Sequence, residues 1–200
     1  MSKERERGLS IRARLTLIVY DRSGKVKKVH EQPANLALNN FLYFTRIIMG
    51  GVSKQSSGVV GPFTDEGGNT VHVVIGYDSN CWDYAANADK QFYVECGTGT
   101  TSPSGSDYKL ENKLADGKAD VTEVSTTASP PYVKLSGTID IPSDATVTEI
   151  GLSLECVVYE PASGTYPVRR ILLIRDLLDT AIDVFAGDRI EVTYQINIKR

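Results

Sequence analysis

The chain has 200 residues, 41% of them hydrophobic and 24% charged, with a formal net charge of −3. That length suits one domain able to bury a sizeable core. The slightly acidic balance argues against a dedicated nucleic-acid binder, which carries a basic excess, and the longest apolar runs, such as Leu15–Tyr20, are far too short for a transmembrane segment.

Residues 1–10 read as a charged N-terminal arm, with Lys3, Glu4, Arg5, Glu6 and Arg7 alternating in sign, and residues 11–200 as a single domain. The arm is not followed by the apolar stretch of a secretory leader, so the chain is expected to be made and kept in the cytoplasm or assembled there into something larger. Ile11–Asp21 alternates as a strand, with Ala13, Leu15, Leu17 and Val19 on one face and Arg12, Arg14 and Thr16 on the other. Asp21-Arg22-Ser23-Gly24 is a turn, and Lys25–Val29 returns as the second arm of a hairpin whose lysines suit a protected edge.

The one helix is predicted near residues 35–49. Asn35 can cap it, Leu38, Phe41, Leu42, Thr45, Ile48 and Met49 recur at helical spacing, and Gly50-Gly51 ends it. Phe41, Tyr43 and Phe44 fit a helix packed on a sheet better than an aromatic ligand box. Residues 52–90 form a first loop insertion: a polar loop over 52–68, a strand over Asn69–Tyr77, and a second loop over 78–90 that carries Trp82 and Tyr84. Those two rings suit an interface anchor or a glycan platform, or simply the capping of an open core end.

From there the pattern is strand after strand: Gln91–Cys96, Ala119–Ser125, Tyr132–Ile141, Val147–Tyr159, Val168–Asp176 and Asp188–Ile198, with a second insertion at 155–167. Turn clusters at Pro130-Pro131, Pro142-Ser143-Asp144, Pro161–Gly164 and Ala186-Gly187-Asp188 separate most of them. The fold class that follows is all-β: an antiparallel β-sandwich, jelly-roll-like, with one helix.

No constellation with a catalytic mechanism stands out. The glycines of Gly97-Thr98-Gly99-Thr100-Thr101 follow a strand as in a phosphate-binding loop, but the Gly-Lys-Ser/Thr that must open a helix there is missing. His30 and His72 lack a nucleophile elbow. Asp78, Asn80 and Asp83 lack the glycine and distal glutamate of a calcium loop. Carboxylate pairs such as Asp65 with Glu66 and Asp176 with Asp179 read as solvated. Cys81, Cys96 and Cys156 have no metal-ligand spacing; Cys96 and Cys156 are small buried hydrophobes or one disulfide. The expectation is a non-enzymatic chain without cofactor or metal.

Four motifs in order carry a resemblance. Gly97–Thr101 with Pro103-Ser104, Asp107 and Leu110-Glu111, then Thr148-Glu149-Ile150-Gly151-Leu152, then Leu172-Leu173-Ile174-Arg175-Asp176, then Ala186-Gly187-Asp188 with Ile190, Val192, Tyr194 and Ile196, together resemble structural proteins of tailed phages and other prokaryotic viruses. The resemblance covers residues 91–198 and implies a virion component acting by assembly: tail, fibre, adaptor, vertex or capsid surface. It further implies homo-oligomers, contacts with other virion proteins, and a location in the virion after synthesis in the host cytoplasm. A glycan- or receptor-binding module on the virion surface, using Trp82 and Tyr84 against a host receptor, is the alternative. Glu149, in an otherwise apolar strand, needs a hydrogen-bonding partner, which the amides of Gly97–Thr101 are placed to supply.

Overall fold

The computed structural model describes residues 10–34, 39–48, 59–74 and 91–199. Ten strands and one helix follow in the order β1 (Ser10–Tyr20), β2 (Val26–Ala34), α1 (Asn39–Ile48), β3 (Val59–Thr64), β4 (Thr70–Val74), β5 (Gln91–Gly97), β6 (Lys113–Ser125), β7 (Tyr132–Asp140), β8 (Ala145–Tyr159), β9 (Val168–Val184) and β10 (Arg189–Lys199). All strand pairs are antiparallel. The main path runs β2-β1-β10-β7-β6-β5-β8, with β9 along one side of β8 and the β3–β4 hairpin joined to the far end of β8 through β4.

This path doubles back on itself, so strands distant along the path meet in one core. Tyr194 of β10 is fully buried and donates its hydroxyl to Asp176 of β9 at 3.0 Å. Around them pack Leu15, Leu17 and Val19 of β1, Ile150, Leu152 and Leu154 of β8, and Ile190 and Val192 of β10. In β1 and β10 these positions alternate with exposed or half-exposed ones, as a sheet with one buried face requires, whereas residues 149–154 of β8 are buried on both faces; burying each aliphatic side chain is worth about 1.5–3 kcal/mol. The result is the expected antiparallel β-sandwich. Cys96 and Cys156 are both buried in that core and are not joined in a disulfide. They stand opposite Ile150 and Arg169 respectively, well separated along the sheet, and burial pushes the Cys96 thiol up to about 12.

The two edges of the path do not pair as strands. Side-chain amides bridge them instead. Gln32 of β2 donates Nε2 to the Leu177 carbonyl at 3.0 Å and accepts the Asp179 amide on Oε1 at 3.1 Å. Asn40 of α1 does the same elsewhere: Nδ2 reaches the carbonyls of Thr64 (2.9 Å) and Leu172 (3.0 Å), while Oδ1 accepts the Thr64 amide at 3.0 Å. Each carboxamide supplies a donor and an acceptor, as a neighbouring peptide would, and so satisfies backbone groups of Leu172, Leu177 and Asp179 on β9 and of Thr64 on β3.

Four expectations change in detail. The described helix begins at Asn39, so Asn35 as its cap lies outside the described residues, and its buried face runs through Asn40 and Phe41 while Leu42 is 58% exposed. The helix packs on β9 and β3, and Tyr43 meets Phe63 edge-on at 5.8 Å; a polar Asn on the buried face is what rotates the stripe. The 52–68 stretch is not loop throughout, because Val59–Thr64 pairs with β4 as a strand. β6 starts at Lys113, six residues ahead of the expected Ala119. Finally, β9 continues to Val184, since residues 178–181 bulge opposite Thr148 and break the alternation that would mark a strand. That bulge leans towards β2, where Gln32 takes the Asp179 amide and Lys28 reaches the Ala181 carbonyl. The second insertion is the tip of the β8–β9 hairpin, closed by the Glu160–Thr165 bridge.

Candidate functional site

On its second face, β8 carries Glu149, Gly151, Ser153 and Glu155, opposite Gly97, Glu95, Tyr93 and Gln91 of β5. The loop between β5 and β6 folds down over this face. Its Leu110 is buried on Gly151, where an added Cβ would stand 3.0 Å from both Leu110 and Leu172.

Glu149 is fully buried beneath that loop. Its Oε1 accepts the amides of Gly99 (3.0 Å) and Asn112 (2.8 Å); its Oε2 accepts the amide of Glu111 (3.1 Å) and Nε of Arg175 (2.9 Å). The amide partner expected among Gly97–Thr101 is therefore Gly99. Thr148 completes the attachment by donating its hydroxyl to the Gly99 carbonyl at 2.7 Å. The glycines follow from this close approach. A Cβ on Gly97 would lie 2.5 Å from the Asn112 carbonyl oxygen and 2.6 Å from Glu149 Oε1, and one on Gly99 2.6 Å from the same oxygen.

Arg175, 3% exposed, carries the network outward. Its guanidinium reaches Asp107 Oδ2 at 2.7 Å and the Thr101 carbonyl at 3.2 Å. Partial burial pushes the Asp107 carboxyl up, but the Ser104 amide, Arg175 and the Ser104 hydroxyl outweigh it and hold it below the usual range. Glu111 accepts the Thr101 amide and hydroxyl and the Thr100 amide, which hold its carboxyl low as well. Thr98 donates its amide to the Asn112 carbonyl. Loop and sheet are thus fastened through one buried charge pair whose acceptors and donors are spent on each other. Gly187 and Asp188 stand apart from this network. Gly187 has φ +86°, a left-handed turn conformation, and Asp188 accepts the Phe185 amide at 2.9 Å and pairs with Lys27, closing the turn into β10.

A second buried charge cluster escaped the sequence reading. Glu95 of β5 is fully buried; its Oε1 accepts the Ser153 hydroxyl at 2.6 Å and stands 3.2 Å from Lys113 Nζ and 3.5 Å from Arg170 NH1. Lys113 and Arg170 also hold Asp116, at 2.8 and 2.7 Å, and Arg170 reaches Glu155 at 3.2 Å while stacking 3.7 Å over the Tyr93 ring. From above comes the β3–β4 turn. Glu66 donates its amide to the Arg170 carbonyl at 3.0 Å, and Asp65, 2% exposed, accepts the Asn69 amide at 2.8 Å and pairs with Arg169 at 3.3 Å. Of the carboxylates expected to be solvated, Asp65 and Asp176 are buried and Glu66 is half-buried, because a folded-down hairpin and the core cover them, while Asp179 is exposed. The signal that would have found Glu95 is the one that found Glu149: a carboxylate inside the apolar run Phe92–Cys96 must have partners.

Trp82, Tyr84, Cys81 and the Asp78, Asn80 and Asp83 group lie outside the described residues. Among the described residues no group of three or more His, Cys, Asp or Glu side chains is arranged to hold a metal ion, and no helix is long and apolar enough to cross a membrane. No family model, curated protein or solved structure matches this chain.

Proposed function

We propose that this chain is a virion structural protein that works by assembly, as a homo-oligomer and with other virion proteins, without catalysing a reaction. The observation that carries the reading is the Glu149–Arg175 clamp. Gly97–Thr101, Asp107, Glu111, Glu149 and Arg175 belong to three of the four segments that resemble prokaryotic-virus structural proteins, and they meet in one network. Their polar atoms hold a long loop rigidly against a sheet, which suits a part that presents fixed surfaces to neighbours.

Mass photometry of the purified chain over a wide concentration range tests the reading, together with immunogold labelling of particles released by the source cells. Discrete symmetric oligomers and labelled particles are expected. A chain that stays monomeric and labels no particle overturns it.

A further inference from the structure

Glu66 and Glu95 pose a problem that the rest of the cluster does not solve. Glu66 Oε1 and Glu95 Oε2 are both buried and neither has a hydrogen-bond donor. Such an oxygen is costly to leave unmet, and Glu66 and Glu95, which flank Lys113 Nζ at 3.9 and 3.2 Å, are both acceptors. One proton placed between them turns the pair into a hydrogen bond and removes a like-charge repulsion.

We propose that Glu66 and Glu95 share one proton, and that this proton latches the β3–β4 turn onto the sheet, making the hairpin a pH-sensitive element that slackens as the solution turns alkaline. The charges around it favour this. Lys113 and Asp116 face the pair from β6, Tyr93 from β5, Glu155 from β8, and Arg170 from β9, while Arg169 is engaged with Asp65 beside them. With Glu66 ionised, four carboxylates would confront two cations; the shared proton reduces the excess. Asp116 is held low in spite of its burial, by Lys113 and Arg170, and the Lys113 and Arg170 pKa values are raised by their acidic neighbours, so these three keep their charges around neutrality.

Burial, and after it the Glu95 charge, pushes the Glu66 carboxyl from 4.5 up to about 7. The latched state therefore binds more protons than the open one between those values. Its extra stability is complete below about pH 4.5 and lost as the pH rises through about 7.

Carboxyl-carbon NMR of the full chain labelled at glutamate reads the proton directly, and amide exchange at Asp65–Asn69, corrected for its intrinsic pH dependence, reads the latch. In the wild type, one glutamate titrates near neutrality and protection falls roughly thirtyfold between pH 5.5 and 8.5. In Glu66→Gln the amide donates permanently to Glu95, so the near-neutral titration disappears and protection stays level. Glu95→Gln moves that titration towards the ordinary acid range without abolishing it, because burial still raises the Glu66 carboxyl. The proposal is overturned if every wild-type glutamate titrates in the ordinary acid range, or if Glu66→Gln loses protection with pH as the wild type does.

Discussion

Glu149 and Glu95 sit on neighbouring strands, face the same side of the sheet a diagonal step apart, and are both fully buried. Their surroundings differ. Glu149 is met by three backbone amides and a guanidinium that fill both oxygens. Glu95 is met by a hydroxyl, a lysine and an arginine at one oxygen, while the other is buried without a hydrogen-bond donor. Backbone donors cannot swing away, so they hold a carboxylate in one place. A second acid in place of those donors makes a titrating pair instead. Burial of a carboxylate therefore says nothing by itself about its charge; the donors decide.

Removing the guanidinium breaks this contrast most severely. Arg175→Met leaves Glu149 buried with one donor gone and Asp107 unpaired, and an uncompensated buried charge costs about 3–5 kcal/mol. Urea denaturation measures it, and a loss under 1 kcal/mol would mean that the amides alone hold the ion. Gly99→Ala comes next. Its Cβ would stand 2.6 Å from Glu149 Oε1, so the loop must lift, with an overpacking cost of about 1–3 kcal/mol. The same denaturation series reads that cost, with amide exchange at Asn112 showing whether the loop is what moved.

The gentlest test sharpens the contrast by sign. Asp107 and Glu111 are held low by their partners, so the stability they lend is present above their ordinary values of 3.8 and 4.5 and is lost as the pH falls through their lowered ones. Amides of the 98–112 loop should lose protection in acid while those of the β3–β4 turn keep theirs. Exchange profiles moving in the same direction for both segments would dissolve the distinction.

Legibility from sequence followed the same physics. Strands with clean alternation, such as Ala13, Leu15, Leu17 and Val19 in β1, or Ile190, Val192 and Tyr194 in β10, were readable because one face meets the core and the other water. The second half of β9 was not, because its bulge serves a contact with β2 that lies far away in sequence. β3 was hidden among polar residues for a similar reason: it is a short strand that needs β4 to exist. At the clamp, Glu149 and the glycines could be paired from composition alone, since a buried ion demands amides at close range. The role of Arg175 rested on its motif, and nothing local announced that Arg170 and Lys113, thirty and more residues from one another and from Glu66, would converge on a pair of acids.

The pairing of β1 with β10 places Ser10 opposite Lys199 and sets β10 between β1 and β7. During synthesis, β1 and β2 can form their hairpin early, yet the strand that joins them to the rest of the sheet is the last of the ten to leave the ribosome. Until then the β1 edge of that hairpin and the edge of β7 stay unpaired. Folding on this plan waits for residues 189–199, a long-range closure that is slow compared with hairpin formation. A ribosome stalled before Arg189 would thus hold a chain with two halves made and no seam between them.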